Sequence, residues 1–245
     1  MARPRPHLRN APIVEAVIDF RVSPGEGCTA DTFAHLDSSI GIRYTQKVPI
    51  RLIQGGFGFD KGELLPPAAS QMDIGWRYQA ETEVAQFRLD GFTFSKIEHY
   101  TTWEQVFGEA FRLWQVYVER ANPRQVSRIA VRYINRMRLT GAAEIGRYLE
   151  APPLLPSPIP QAVREFLTRV RVDDEKRNIS AAIVQALEPR VDPNAISLLL
   201  DIDAFCEVNA LPRDTTLPSK FEELREMKNE IFYASITEAT AEMYE

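Results

Sequence analysis

Apolar and polar residues alternate with period two from Pro12 to Val22. Val14, Ala16, Ile18, Phe20 and Val22 share one face, while Glu15, Asp19 and Arg21 dominate the other. This is the pattern of a strand with one buried face. Comparable runs at 47–54, 73–79, 84–89 and 92–97 predict further strands, and Asp90-Gly91 is a two-residue hairpin signal between the last two. Thr29 to about Ser38 reads as a short helix, and Gly55-Gly56-Phe57-Gly58 as a bulge or loop. The period then changes. Trp103, Val106, Phe107, Ala110, Leu113, Trp114, Tyr117 and Val118 form a broad stripe at helical spacing. Thr101 and Glu104 make a capping box before it, and Asn122-Pro123 ends it near Arg120.

A second series follows in the same order. Val126–Leu139 alternates as a strand, Gly141–Glu150 reads as a short helix, and five prolines between Pro152 and Pro160 mark an extended linker. Strands are predicted at 163–173, 178–187 and 195–206, and a final long helix near Ser219. Phe221, Leu224, Ile231 and Phe232 line its buried side, the charges of Lys220–Glu230 its exposed side, and Thr237 caps a last short helix. The expectation is an α+β fold. Residues 1–9 form a basic tail, and residues 10–122 and 123–245 form two related strand–helix–strands–helix halves of one co-folding unit. Each half would be an antiparallel sheet with helices packed on one face.

Composition narrows the function classes. Hydrophobic residues make up 44% and charged residues 26%, which are globular values with ample material for a core. No apolar run is long enough to span a bilayer, and the basic N-terminus lacks an apolar signal core, so no membrane partner is expected. Cys28 and Cys206 stand alone and read as reduced residues of a cytoplasmic protein. A net charge of −5 argues against a dedicated nucleic-acid binder. No phosphate loop, dinucleotide fingerprint or nucleophile elbow occurs, so no cofactor is implied.

The strand at Val126–Leu139 carries the most distinctive chemistry. Ile129, Val131, Tyr133, Asn135, Met137 and Leu139 share one face. Arg128, Arg132, Arg136 and Arg138 share the other, with Ala130 and Ile134 among them. Such a row either grips an anionic partner through guanidinium forks or pairs with carboxylates on neighbouring strands. Glu15 and Asp19, and Asp201, Asp203 and Glu207, have the right period to be those carboxylates, and the pairing reading is favoured. Asp201 and Asp203 point the same way and are a weak metal-ligand pair, in need of a third carboxylate. His7, His35 and His99 lack metal-binding spacing. Trp76, Tyr78, Phe87, Phe92 and Phe94 are expected beneath the first long helix rather than exposed for stacking on bases.

Five segments together resemble a sporadically distributed prokaryotic family of uncharacterised function. They are Asn10–Asp19, Tyr100–Trp103, Arg128–Arg136, Leu200–Asp203, and Asn229–Phe232 with Ile236-Thr237. The family commonly shows a Leu-His pair where this chain has Glu226-Met227. The resemblance implies one full-length co-folding unit and an accessory or defence-type setting, and it brings no reaction with it. The residues favour a non-catalytic protein that binds a partner protein, a peptide or a small anionic ligand, with Arg128, Arg132, Arg136 and Arg138 as contacts. The alternatives are a metal-dependent phosphodiesterase built on Asp201 and Asp203, and an RNA- or DNA-binding protein.

Overall fold

The structure, a computed structural model, describes residues 8–56, 59–60, 63–64, 68–140, 145–188 and 195–245. Its centre is a nine-stranded antiparallel sheet. The strands are β1 (Ile13–Ser23), β2 (Gln46–Gly56), β5 (Ala68–Gln79), β6 (Glu83–Arg88), β7 (Gly91–Ile97), β8 (Gln125–Thr140), β9 (Phe166–Asp174), β10 (Ile179–Glu188) and β11 (Ala195–Ala210). The short pair β3 (Phe59–Asp60) and β4 (Glu63–Leu64) forms a separate hairpin. Across the main sheet the order is β2-β5-β6-β7-β1-β8-β11-β10-β9. The helices are α1 (Asp37–Ile40), α2 (Trp103–Ala121), α3 (Leu217–Ser235) and α4 (Glu238–Glu242).

Most elements lie where the periodicity places them. The region from Thr29 to Ser38 is a 3-10 turn at Ala30–Phe33 followed by α1, rather than one helix. Of the helix expected at Gly141–Glu150, residues 141–144 lie outside the described residues, and a 3-10 turn covers Ile145–Arg147. In the glycine run, β2 extends through Gly56, and residues 57–58 lie outside the described residues. The cap of α2 is shifted by one residue, because the Thr102 hydroxyl accepts from the Gln105 amide.

Both long helices cover one face of the sheet. Ile18 and Phe20 of β1, Phe87 of β6, Phe92 and Phe94 of β7, and Ile129 and Val131 of β8 pack against Leu113, Trp114 and Tyr117 of α2 and Phe221 and Leu224 of α3. Phe20 stacks on Trp114 with ring centroids 4.1 Å apart. Burying a side chain of this size contributes about 2 kcal/mol, so this aromatic layer carries much of the fold. A second cluster, with Met137, Leu139, Leu198, Leu200 and Ile202 against Phe232 and Ile236, continues the layer under the end of α3. No described helix is long and apolar enough to cross a membrane.

The opposite face carries no described helix and is charged. The hairpin between β6 and β7 brings backbones into close approach at Gly91. Gly91 pairs with Arg21 on one side and Arg88 on the other. A Cβ at Gly91 would sit 2.1 Å from the Phe20 carbonyl oxygen, a distance no side chain tolerates.

Candidate functional site

The arginine row sits in the middle of the bare face, because β8 lies between β1 and β11. That placement puts carboxylates on both sides of it. Arg132 makes a two-pronged bond to Asp201, Nε to Oδ1 at 2.8 Å and Nη2 to Oδ2 at 2.6 Å. Arg128 bridges Asp203 at 3.1 Å and Asp19 at 3.5 Å, and its guanidinium lies over the Phe205 ring. Arg136 reaches across β11 to Glu188 of β10, with Nε–Oε2 at 3.1 Å. Asp19 also receives Arg21 and the buried Arg88. Three of the four arginines are thus neutralised by neighbours on the sheet, and Arg138 has no ion pair among the described residues. The bond to Asp201 raises the Arg132 pKa, and burial raises that of Asp203 despite the flanking Arg128 and Arg132.

Asp201 and Asp203 are therefore engaged with arginine. Among the described residues no group of three or more His, Cys, Asp or Glu side chains could hold a metal ion. His99 lies in the connection from β7 to α2, while Tyr78, Phe87, Phe92 and Phe94 are buried beneath α2 as core residues.

A different site lies on the helix-covered side. A cavity of about 530 Å³ opens between the start of α2, the middle of β8 and the second half of α3. Tyr100, Trp103, Tyr133, Phe232 and Tyr233 give it aromatic walls, Arg9, Arg225 and Lys228 line it as cations against Glu104 and Glu226, and Asn135 and Asn229 add amides. Four of the five segments singled out in the sequence meet here: Ala11 and Ile13, Tyr100–Trp103, Tyr133 with Asn135, and Asn229 with Phe232. The fifth touches it indirectly, since the Leu200 carbonyl accepts a 3.0 Å bond from the Asn135 amide.

Lys228 is the unusual member. Its position corrects the expectation that the charges of Lys220–Glu230 form an exposed face, because Lys228 is only 7% exposed. Its Nζ donates to Asn229 Oδ1 at 2.6 Å and lies 3.7 Å from the centroid of the Tyr133 ring. No described carboxylate lies within ion-pair distance of it. Burial, reinforced by Arg225 and opposed by Glu226, lowers its pKa to about 7. The sequence signal was spacing. Phe221, Leu224, Lys228 and Phe232 fall at i, i+3, i+7 and i+11, so the lysine interrupts the apolar stripe of α3.

The walls are fixed by specific bonds. The Tyr133 hydroxyl donates to Tyr100 at 3.0 Å, and burial raises the pKa of both phenols. Tyr100 is aimed inward by two consecutive left-handed residues, Glu98 at φ 45° and His99 at φ 46°. Such residues cost about 1 kcal/mol or more each and persist where the surroundings require the turn. Trp103 donates its indole proton to Glu222, and Arg225 lies over its ring while pairing with Glu222 at 3.1 Å.

No protein-family model matches the chain, and no curated protein matches it either.

Proposed function

We propose that the protein is a binding protein for a small anionic ligand, held in the cavity between α2, β8 and α3. The observation that carries this reading is Lys228, a buried amine on the cavity wall with no carboxylate partner among the described residues. An isolated buried ammonium group is costly, and an incoming anion would remove that cost. The N-terminal turn of α2, with its own Glu104, lines the same cavity. The arginine row does not compete as the primary site, because releasing Arg128, Arg132 or Arg136 to a ligand would strand their carboxylates.

The test is a panel of small carboxylates and phosphates, read by Trp103 fluorescence and by melting temperature. Saturable binding that Lys228→Met weakens at least tenfold supports the reading. Binding that this change leaves untouched, or that Arg132→Ala abolishes instead, overturns it.

The two halves are also proposed to be related copies. In each, the first strand (β1 or β8) pairs with the last strand of its own half (β7 or β11), and the remaining strands follow outward in reverse order. After its last strand each half has a 19-residue helix on the same face.

A further inference from the structure

The chemical class of the ligand can be narrowed, on the assumption that the cavity is the binding site. We propose that Lys228 forms an imine with an aromatic 2-oxo acid bound in this cavity.

Three features of the geometry point to this class. The amine is presented on the wall of the cavity rather than in solvent, with its environment fixed by Asn229 Oδ1 and the face of Tyr133. The walls are aromatic: Tyr100, Trp103, Tyr133, Phe232 and Tyr233 line the cavity and offer ring edges and faces to an aromatic group. Arg9 and Arg225 line the cavity as cations for a carboxylate next to the reacting carbon. Arg225 would turn to it from Glu222 at 3.1 Å and Glu104 at 3.9 Å, and both of these carboxylates are more than half exposed, so water takes over their solvation, unlike the carboxylate of Asp201. A cavity of about 530 Å³ is large enough for such an acid and falls within the range typical of small-molecule pockets.

The chemistry needs a neutral amine, and the surroundings of Lys228 favour one. Tyr133 on β8 lies against it, and Arg225 and Glu226 on α3 act on its charge. The other titratable groups lining the cavity are Arg9, Tyr100 before α2, Glu104 on α2 and Tyr233 on α3. Burial and Arg225 depress its pKa, and Glu226 opposes them only in part. Lysine is activated as a nucleophile by this combination of desolvation and a neighbouring cation. The Nζ lone pair adds to the carbonyl carbon, and the carbonyl π pair moves to oxygen. The proton lost by nitrogen goes to that oxygen, giving a carbinolamine. Nitrogen then expels the oxygen as water, with the second amine proton. One amine and one oxo acid give one imine and one water, and nothing is oxidised or reduced.

The experiment is reductive trapping. The full-length protein is incubated with phenylpyruvate and cyanoborohydride, and the adduct is located by peptide mass mapping. Phenyllactate, which has no carbonyl group, is titrated separately by Trp103 fluorescence. The expected result is one adduct on Lys228, absent from Lys228→Arg and Lys228→Met, with a trapping rate in the unmodified protein that rises as pH passes about 7. Labelling spread equally over Lys220 and other surface lysines, or no label on Lys228, overturns the imine. If phenyllactate still binds in that case, the pocket reading survives without the chemistry. If phenyllactate does not bind either, both fall.

Discussion

The Lys228 ammonium group lies 3.7 Å from the centroid of the Tyr133 ring, on a wall where no described carboxylate pairs with it. The attraction is worth about 1–2 kcal/mol at a desolvated site, less than the cost of burying the charge. The amine is therefore held closer to neutrality than any exposed lysine.

A pH dependence of stability follows. The folded pKa of about 7 lies below the ordinary lysine value of 10.5, so the unfolded chain holds more protons between these values. Stability contributed by this group therefore rises with pH from about 7 towards 10.5, by about 1.4 kcal/mol per pH unit at most. Chemical denaturation of the protein and of Lys228→Met at pH values of about 7.5 and 9.5 should show this slope in the difference between them. A difference that does not vary with pH contradicts the depressed pKa.

The bond between Arg132 and Asp201 makes a second prediction. Asp201 is buried, whereas Arg132 is about half exposed. Removing the arginine strands a buried carboxylate, and solvent at Arg132 discounts the loss to about 1–2 kcal/mol. In a double-mutant cycle, Arg132→Ala and Asp201→Ala should together cost less than the sum of the single changes. Strict additivity would mean that the pair is not coupled.

Gly91 is expected to resist substitution. A Cβ there meets the backbone of Phe20, which cannot move without disturbing the pairing of β7 with β1. Gly91→Ala should destabilise the protein by about 1–3 kcal/mol, read by denaturant midpoint, as overpacking does elsewhere. An unchanged midpoint would mean that the strands there can separate at little cost.

The two halves should fail apart. β1 and β8 hydrogen-bond to each other through the centre of the sheet, and one core cluster draws on both halves. Cutting at Pro123-Arg124, the boundary of the halves, would part β1 from β8, and separate expression should give insoluble or unfolded pieces. Two soluble pieces with independent melting transitions would contradict this.

The fold was legible where the pattern is local. The period-two run at Val14–Val22, the Asp90-Gly91 turn and the stripe from Trp103 to Val118 each encode their element within a few residues. The ion pairs were half legible. The spacing of Asp201 and Asp203 matches that of the arginines, but only strand order shows that β8 lies between its carboxylates and that Arg136 reaches β10. The cavity was not legible, because four distant segments assemble it and periodicity within any one of them says nothing about the others. Lys228 shows the limit of residue type: charge places a lysine on the wet face, whereas its place in the spacing of Phe221, Leu224 and Phe232 puts it on the dry one.

The central pairing of β1 with β8 bears on how the chain is made. On a ribosome, β1 emerges more than a hundred residues before its partner, and until β8 follows, one side of β1 presents a row of unsatisfied amides and carbonyls. The first half can pair β1 with β7 and lay α2 over Phe20, yet it must wait with a raw edge showing. Glu15, Asp19 and Arg21 on that strand are charges of the kind that make a sheet edge a poor template for a neighbouring chain.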